Sequence, residues 1–346
     1  MLIKLNSHEG LRQRLVMSTL SGKILRIDGI RSDSDEPGLK DYEVNFLRLL
    51  EKFTNGSHIE ISVTGTSLVY KPGVIVGGKL SHDCGVLRSI GYFLEPLIML
   101  APFAKNPVSI NLQGITNDNL DISVDLLRVA TLRQLKHFGL SDGVSLKILK
   151  RGAPPLGGGE INFQCPVVRS LKPIQFIDEG RIKRIRGIAY ATRVSPQTPN
   201  RVIESVRSVL NQFIPDIYIY TDIYKGNESV AESTSGVNLA CELFAEKGET
   251  PEDLGVRVGR MLLDEIQDGG CVDSLNQTLA LLWMVLAPED VSKLRIGKLT
   301  PYTITFLRDL QKFFNVTFKI TPDSENLTVI LTCLGTGFVN VNKRSN

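Results

Sequence analysis

Side chains able to move protons or attack an electrophile are unevenly spread along the 346 residues. The four histidines, His8, His58, His82 and His137, all precede position 138. Any later acid–base or covalent step must therefore use a group other than imidazole. The five cysteines (Cys84, Cys165, Cys241, Cys271, Cys333) lie far apart without a CxxC. That pattern argues against a disulfide framework and a thiolate zinc site, and it suits a reducing compartment. His82-Asp83-Cys84 and His8-Glu9 each lack the second clustered pair that a metal site needs, so no metal or other cofactor is expected. Asp33, Asp35 and Glu36 come nearest to the paired carboxylates of metal-assisted or acid–base hydrolysis, yet their spacing is that of a solvated turn.

The sharpest local string is Arg151-Gly152-Ala153-Pro154-Pro155-Leu156-Gly157-Gly158-Gly159-Glu160-Ile161. Three consecutive glycines supply positive-φ positions and bare N–H groups that can cradle an anion; equally, they let two backbones cross closely. No Gly-Lys-Ser/Thr follows and no GxGxxG opens a helix, which excludes the common nucleotide loops. Two basic stretches stand out. Arg181-Ile182-Lys183-Arg184-Ile185-Arg186, with Arg193 and Arg201 nearby, is either an RNA-backbone contact or a solvated face. Lys293-Leu294-Arg295-Ile296-Gly297-Lys298 puts its charges on one face of a strand, and Arg308, Asp309 and Lys312 follow on a helix. Arg308 and Lys312 are like charges at i,i+4, a repulsion that an acidic partner would relieve.

The elements that must carry these residues follow from composition and periodicity. Forty Lys+Arg against 37 Asp+Glu leave +3, and 42% of residues are apolar. With a mean hydropathy of +0.02 and a pI near 8.5, this describes a globular chain of two or three domains without a strongly basic nucleic-acid coat. The opening MLIKLNSHEG lacks the apolar run of a secretory signal, and Leu279–Pro288 is too short to span a bilayer. Leu-Arg-x-Leu-x-x-Phe occurs at Leu47, Leu132 and Leu307, each time one helical stripe entering an alternating run. Three copies of one α/β unit are expected, with extra length before the third. The fold class is thus α/β (α+β): a large domain of three repeats, residues 1–185 and 271–346, and a smaller inserted α/β domain, 186–270.

Helices are expected at Glu9–Leu20, Asp41–Thr54, Leu87–Ala104, Ile122–Phe138, Pro199–Phe213, Pro251–Asp268, Ser274–Leu286 and Pro301–Phe314. Strands are expected at Lys23–Ile27, Val108–Gln113, Ser145–Lys150, Glu160–Cys165, Asp216–Thr221, Lys293–Ile296, Val316–Ile320 and Thr328–Leu334, with a hairpin over Ile59–Tyr70. Tyr224–Gly236 reads as a polar loop. Trp283 and Met284 read as core.

The glycine string resembles the motif of the RNA 3′-terminal phosphate cyclase family. Tyr70-Lys71-Pro72-Gly73 with Gly77-Gly78, and Gly114-Ile115-Thr116-Asn117 with Val124-Asp125, extend the resemblance along the chain. Arg12-Gln13-Arg14-Leu15, Gly91-Tyr92-Phe93, Leu100-Ala101-Pro102-Phe103 and Gly335-Thr336-Gly337-Phe338 are closer to the cyclase-like branch, nucleolar proteins of small-subunit ribosome biogenesis. The family adenylates a histidine at the start of the third unit's second helix. Here Tyr302 takes that position, and a phenol of pKa near 10 is a poor substitute. The family's N-terminal glycine run with its Glu aligns with Leu5-Asn6-Ser7-His8-Glu9, its Asp-Gln pair with Asn276-Gln277, and a second arginine with Ser34.

The resemblance therefore implies a non-catalytic homologue in nucleus and nucleolus. It would serve the small-subunit processome in pre-rRNA processing towards 18S rRNA, bound to a ribosome-biogenesis GTPase and to pre-rRNA or a small nucleolar ribonucleoprotein. Arg12, Arg31 and Arg151 are its candidate anion-binding residues. Lys293, Arg295, Arg308, Asp309 and Lys312 are its candidate partner surface. The competing reading is a pre-rRNA endonuclease in the degenerate cleft.

Overall fold

The computed structural model describes residues 1–190, 195, 197–222 and 227–341. Its first unit runs β1 (Leu2–Asn6), α1 (Leu11–Ser21), β2 (Ile24–Asp28), α2 (Asp41–Phe53), β3 (Thr54–Asn55), β4 (His58–Ile61), β5 (Leu68–Lys71) and β6 (Val74–Ile75). The second runs β7 (Gly77–Asp83), α3 (Ile90–Leu100), β8 (Asn106–Gly114), α4 (Val124–Leu126), α5 (Leu132–Gln134), β9 (Ser145–Lys150) and β10 (Gly159–Cys165). After β11 (Gln175–Phe176) come β12 (Ile182–Tyr190), α6 (Gln197–Leu210), β13 (Ile217–Asp222), β14 (Asn227–Ser233), β15 (Asn238–Leu243) and α7 (Pro251–Asp268). The chain then continues with α8 (Gln277–Leu286), β16 (Val291–Ile296), α9 (Pro301–Phe314), β17 (Lys319–Asp323) and β18 (Thr328–Leu334).

Three sheets repeat one plan. Their orders are β1-β2-β5-β4, β7-β8-β10-β9 and β11-β16-β18-β17. In each, the first pair is parallel and the other two pairings are antiparallel. A fourth sheet, β13-β12-β14-β15, is built from the residues between β11 and α8, backed by α6 and α7. A parallel pair needs a crossover helix, and α1, α3 and α8 fill that role. Of these, α3 and α8 are apolar on nearly every side and accordingly buried along almost their whole length. Trp283 lies fully buried on α8, edge-on to Phe103 and Phe138, its Nε1 donating to Met99 O at 3.4 Å.

Several expectations are corrected. The supposed loop 224–236 contains β14, whose ladder partners on both sides, β12 and β15, hold a polar segment in extended form. The expected helix over 122–138 is α4, a π-helical stretch Leu127–Thr131, α5 and a 3₁₀ turn Leu135–Phe138. Position 186 lies inside β12, so a boundary there would cut a strand of the fourth sheet. Strands β1, β3, β6, β7, β11, β12 and β15 were not foreseen. Arg193 and residues 223–226 lie outside the described residues. Among the described residues no helix is long and apolar enough to cross a membrane. All five cysteines are buried free thiols, and burial pushes each one's pKa up.

Candidate functional site

Tyr302 is the second residue of α9. The helix begins at Thr300, whose Oγ1 accepts from Thr303 N–H at 3.0 Å, and Pro301 sits first, where a missing N–H costs nothing. Thr303 Oγ1 donates to Gln277 Oε1 at 2.7 Å, and Gln277 Nε2 donates to Lys298 O at 3.1 Å. Asn276 spends its backbone N–H and Nδ2 on Asp273 Oδ1, at 2.9 and 2.8 Å. The Asn276-Gln277 pair is thus buried and engaged in joining α8 to the start of α9.

Between the starts of α1 and α9 lies a cavity of about 320 Å³, lined by Glu9, Gln13, Tyr302, Thr305 and Asp309 among others. Tyr302 is 44% exposed. Even so, the protein packed round its hydroxyl, and after it the charge of Glu95, push its pKa above the tyrosine range, with Arg12 opposing. The phenol is therefore protonated at neutral pH, the wrong state for attack. Ser7, within the segment aligned with the family's glycine run, holds φ +74, a left-handed backbone that suits glycine.

Arg12 reaches this site through a break in α3. Pro96 lacks the N–H that would bond Tyr92 O, and Arg12 Nη1 donates to that carbonyl at 2.8 Å. The same nitrogen meets Glu95 Oε2 at 2.9 Å. The Arg12 guanidinium lies 4.1 Å from the Tyr92 ring centroid, and Arg88 lies 4.6 Å from that ring and 5.0 Å from Tyr42. Tyr42 and Tyr92 meet edge to face at 5.3 Å. Arg88 forks onto the buried Asp121, its Nε 2.7 Å from Oδ2. Burial, the largest single influence, pulls the Arg12 pKa down, but Glu95 and after it Tyr92, Tyr302 and Asp121 together outweigh it, so the group ends above its ordinary value.

Arg31 borders the cluster. It forks onto Glu43 at 2.7 and 2.8 Å, while Glu43 also accepts Lys40 N–H at 2.8 Å to close the α2 cap. Arg151 instead forks onto Asp125, which Arg128 shares at 2.9 Å. Arg12, Arg31, Arg88 and Arg151 thus each face a carboxylate, and an entering phosphate would have to displace one. The glycine string serves close packing: a Cβ on Gly152 would meet Gly114 O at 2.5 Å, and one on Gly159 would meet it at 2.7 Å.

The five residues read as a partner surface divide. Lys293, Arg308 and Lys312 are exposed. Arg295 is a hub, donating to Ile177 O and Thr328 Oγ1 at 2.8 Å and paired with Asp323. Asp309 turns inward: it is buried and pairs with Arg14 Nε at 2.8 Å, fixing α9 against α1. Asp33, Asp35 and Glu36 are exposed, and among the described residues no group of three or more His, Cys, Asp or Glu is placed to hold a metal ion. Arg88, Tyr42, Tyr92 and Glu95 were missed as site residues; the proline inside an otherwise helical run was the one local sign of an acceptor waiting there.

The family profile described as RNA 3′-terminal phosphate cyclase matches residues 3–320. A probable RNA 3′-terminal phosphate cyclase-like protein of Dictyostelium discoideum is 53% identical, the alignment covering 98% of this chain and 99% of that protein. The RNA 3′-terminal phosphate cyclase-like protein of Homo sapiens is 55% identical, over 96% of this chain and 95% of the relative. The rRNA processing protein rcl1 of Schizosaccharomyces pombe is 50% identical, over 97% and 96%. Profile and relatives, spanning nearly the whole of a chain whose three repeated units are described above, show that it belongs to the RNA 3′-terminal phosphate cyclase family, in its cyclase-like branch.

Proposed function

We propose that this chain is a non-catalytic cyclase homologue that acts in rRNA processing, as a nucleolar assembly factor of the small-subunit processome. What supports it is the start of α9: there Tyr302, which the resemblance aligns with the family's nucleophile, has its pKa raised by burial and lies close to the Arg12–Glu95 pair. Around it, Asn276 and Gln277 are consumed by structural bonds. The rRNA-processing relative in Schizosaccharomyces pombe supports the biological role. In this reading the fold displays surfaces: α9, through exposed Arg308 and Lys312, docks an acidic region of a ribosome-biogenesis GTPase, and other basic faces meet pre-rRNA. We further propose that the residues from about 181 to 270 fold as an inserted domain.

The test incubates the pure protein with labelled ATP and, separately, with pre-rRNA spanning the processing sites, each with and without Mg²⁺. No label on protein and intact RNA, together with tight GTPase binding that Arg308→Glu abolishes, is the expected result. Covalent AMP would restore the cyclase activity, and site-specific cleavage lost on removing one carboxylate would establish the nuclease.

A further inference from the structure

The fourth sheet has one face against α6 and α7 and the other only partly covered. On that second face Val230 of β14 and Ala240 of β15 pack against Leu126 and Ala130. Among the described residues the part around Arg184, Arg186, Tyr218 and Tyr220 is half-exposed or exposed, while Ile188 is buried. Register places Tyr218 beside Arg186, Tyr220 beside Ile188, and Arg184 opposite Glu232, all on this side, while Ile185 and Ile219 point into the core. Tyr218 is 59% exposed and Tyr220 44%; their ring centroids are 6.2 Å apart with planes 35° apart.

Cations gather beside the rings. Lys183, Arg184 and Arg133, the last reaching over from the covering helix, converge on Glu232 at 2.8, 2.7 and 3.5 Å. Arg186 pairs with Asp216 at 2.8 Å. Four half-exposed cations thus face two carboxylates among the described side chains. In the cleft, by contrast, Arg12, Arg31 and Arg88 each have a carboxylate of their own.

Exposed aromatic rings on a sheet, flanked by half-exposed cations, match the chemistry of unpaired nucleotides: bases stack on rings and phosphates meet guanidinium groups. A duplex has its bases already stacked and offers the tyrosines nothing. We propose that this face binds single-stranded RNA, with bases on Tyr218 and Tyr220 and the backbone along Arg133, Lys183, Arg184 and Arg186. The assignment rests on the RNA part of the function proposed above and gives it a place.

Fluorescence anisotropy of the full chain against a labelled 15-nucleotide RNA of mixed sequence, single-stranded or annealed to its complement, tests it. The single strand should bind tighter than the duplex. Tyr218→Ala/Tyr220→Ala should weaken the single strand by at least about tenfold. Tyr218→Phe/Tyr220→Phe keeps the rings and should bind as the parent does, which separates stacking from a folding defect. Arg184→Gln/Arg186→Gln should flatten the slope of log Kd against log salt by about 1.4. Parent-like binding by the double alanine variant, or equal affinity for duplex, overturns the platform while leaving an RNA role elsewhere on the protein standing. A parent protein that binds neither RNA overturns both.

Discussion

Replacing Asp309 by Ala asks whether the charges of α9 serve the fold or a partner. Asp309 Oδ2 and Arg14 Nε are 2.8 Å apart, with side chains only 5% and 7% exposed. Arg14 Nη1 also donates to Ser7 O at 2.9 Å and Asn6 O at 3.2 Å, so the pair ties the β1–α1 turn to α9. Removing one member of such a pair leaves the other charged and uncompensated in a low dielectric, typically about 3–5 kcal/mol. Asp309→Ala should lose that much in urea unfolding. Arg308→Ala, one residue earlier and exposed, should stay within about 0.5 kcal/mol of the parent. Arg14→Met/Asp309→Leu removes both charges and should recover most of the loss, a coupling that a double-mutant cycle measures directly. Asp309→Ala with parent-like stability, or a double variant that loses the sum of its singles, refutes the reasoning. If it holds, a partner that stops binding Asp309→Ala has lost a folded helix, and Arg308 alone reports on the surface.

Burial pushes the carboxyls of Glu242 and Asp273 up to about 7, so the folded chain holds protons that the unfolded chain releases near pH 4 to 4.5. Their contribution to stability is therefore complete below about pH 4 and is lost as pH rises towards and through 7, with a slope of at most about 1.4 kcal/mol per pH unit for each group. Glu242→Gln should remove about half of that slope in urea titrations run from pH 4 to 8, and an unchanged slope would be the contrary result. Ser7→Gly should raise stability by about 0.5–1 kcal/mol, since φ +74 costs serine more than glycine, with thermal unfolding as the check. Arg151→Ala should destabilise by about 2–3 kcal/mol, because Asp125, 1% exposed, keeps only Arg128, while oligonucleotide affinity measured by anisotropy should hold.

The sequence carried the fold because the fold is local and repeated. The Leu-Arg-x-Leu-x-x-Phe stripe falls on α2, on the helical segment that includes α5, and on α9, the second helix of each unit, and each stripe puts its Leu and Phe into the shared core. A hydrophobic period is a property of neighbours in sequence, so it is legible there. β14 escaped because its residues are polar and its order comes from two ladders, one of them to a strand about 45 residues earlier. The site escaped for the same reason, more strongly. Arg12 meets Glu95 across 83 positions and Arg14 meets Asp309 across 295, and no spacing rule reaches so far. Asp309 shows the cost: read beside Arg308 and Lys312 it looks like surface charge, yet it lies on the buried side of the helix.

The distribution of charge carries the functional argument further than any single residue. A cleft still built to hold a nucleotide or an RNA end would keep cations in excess where the phosphate lands. Around Tyr92 the opposite holds: Arg12, Arg31 and Arg88 are each matched by Glu95, Glu43 or Asp121, and the two guanidiniums over Tyr92 stack on its ring. Those groups pack against the ring and hold their own carboxylates. At the fourth sheet, instead, three cations share the one carboxylate of Glu232. In the proposed role the protein works by being bound, and this arrangement of charge is the one that role predicts.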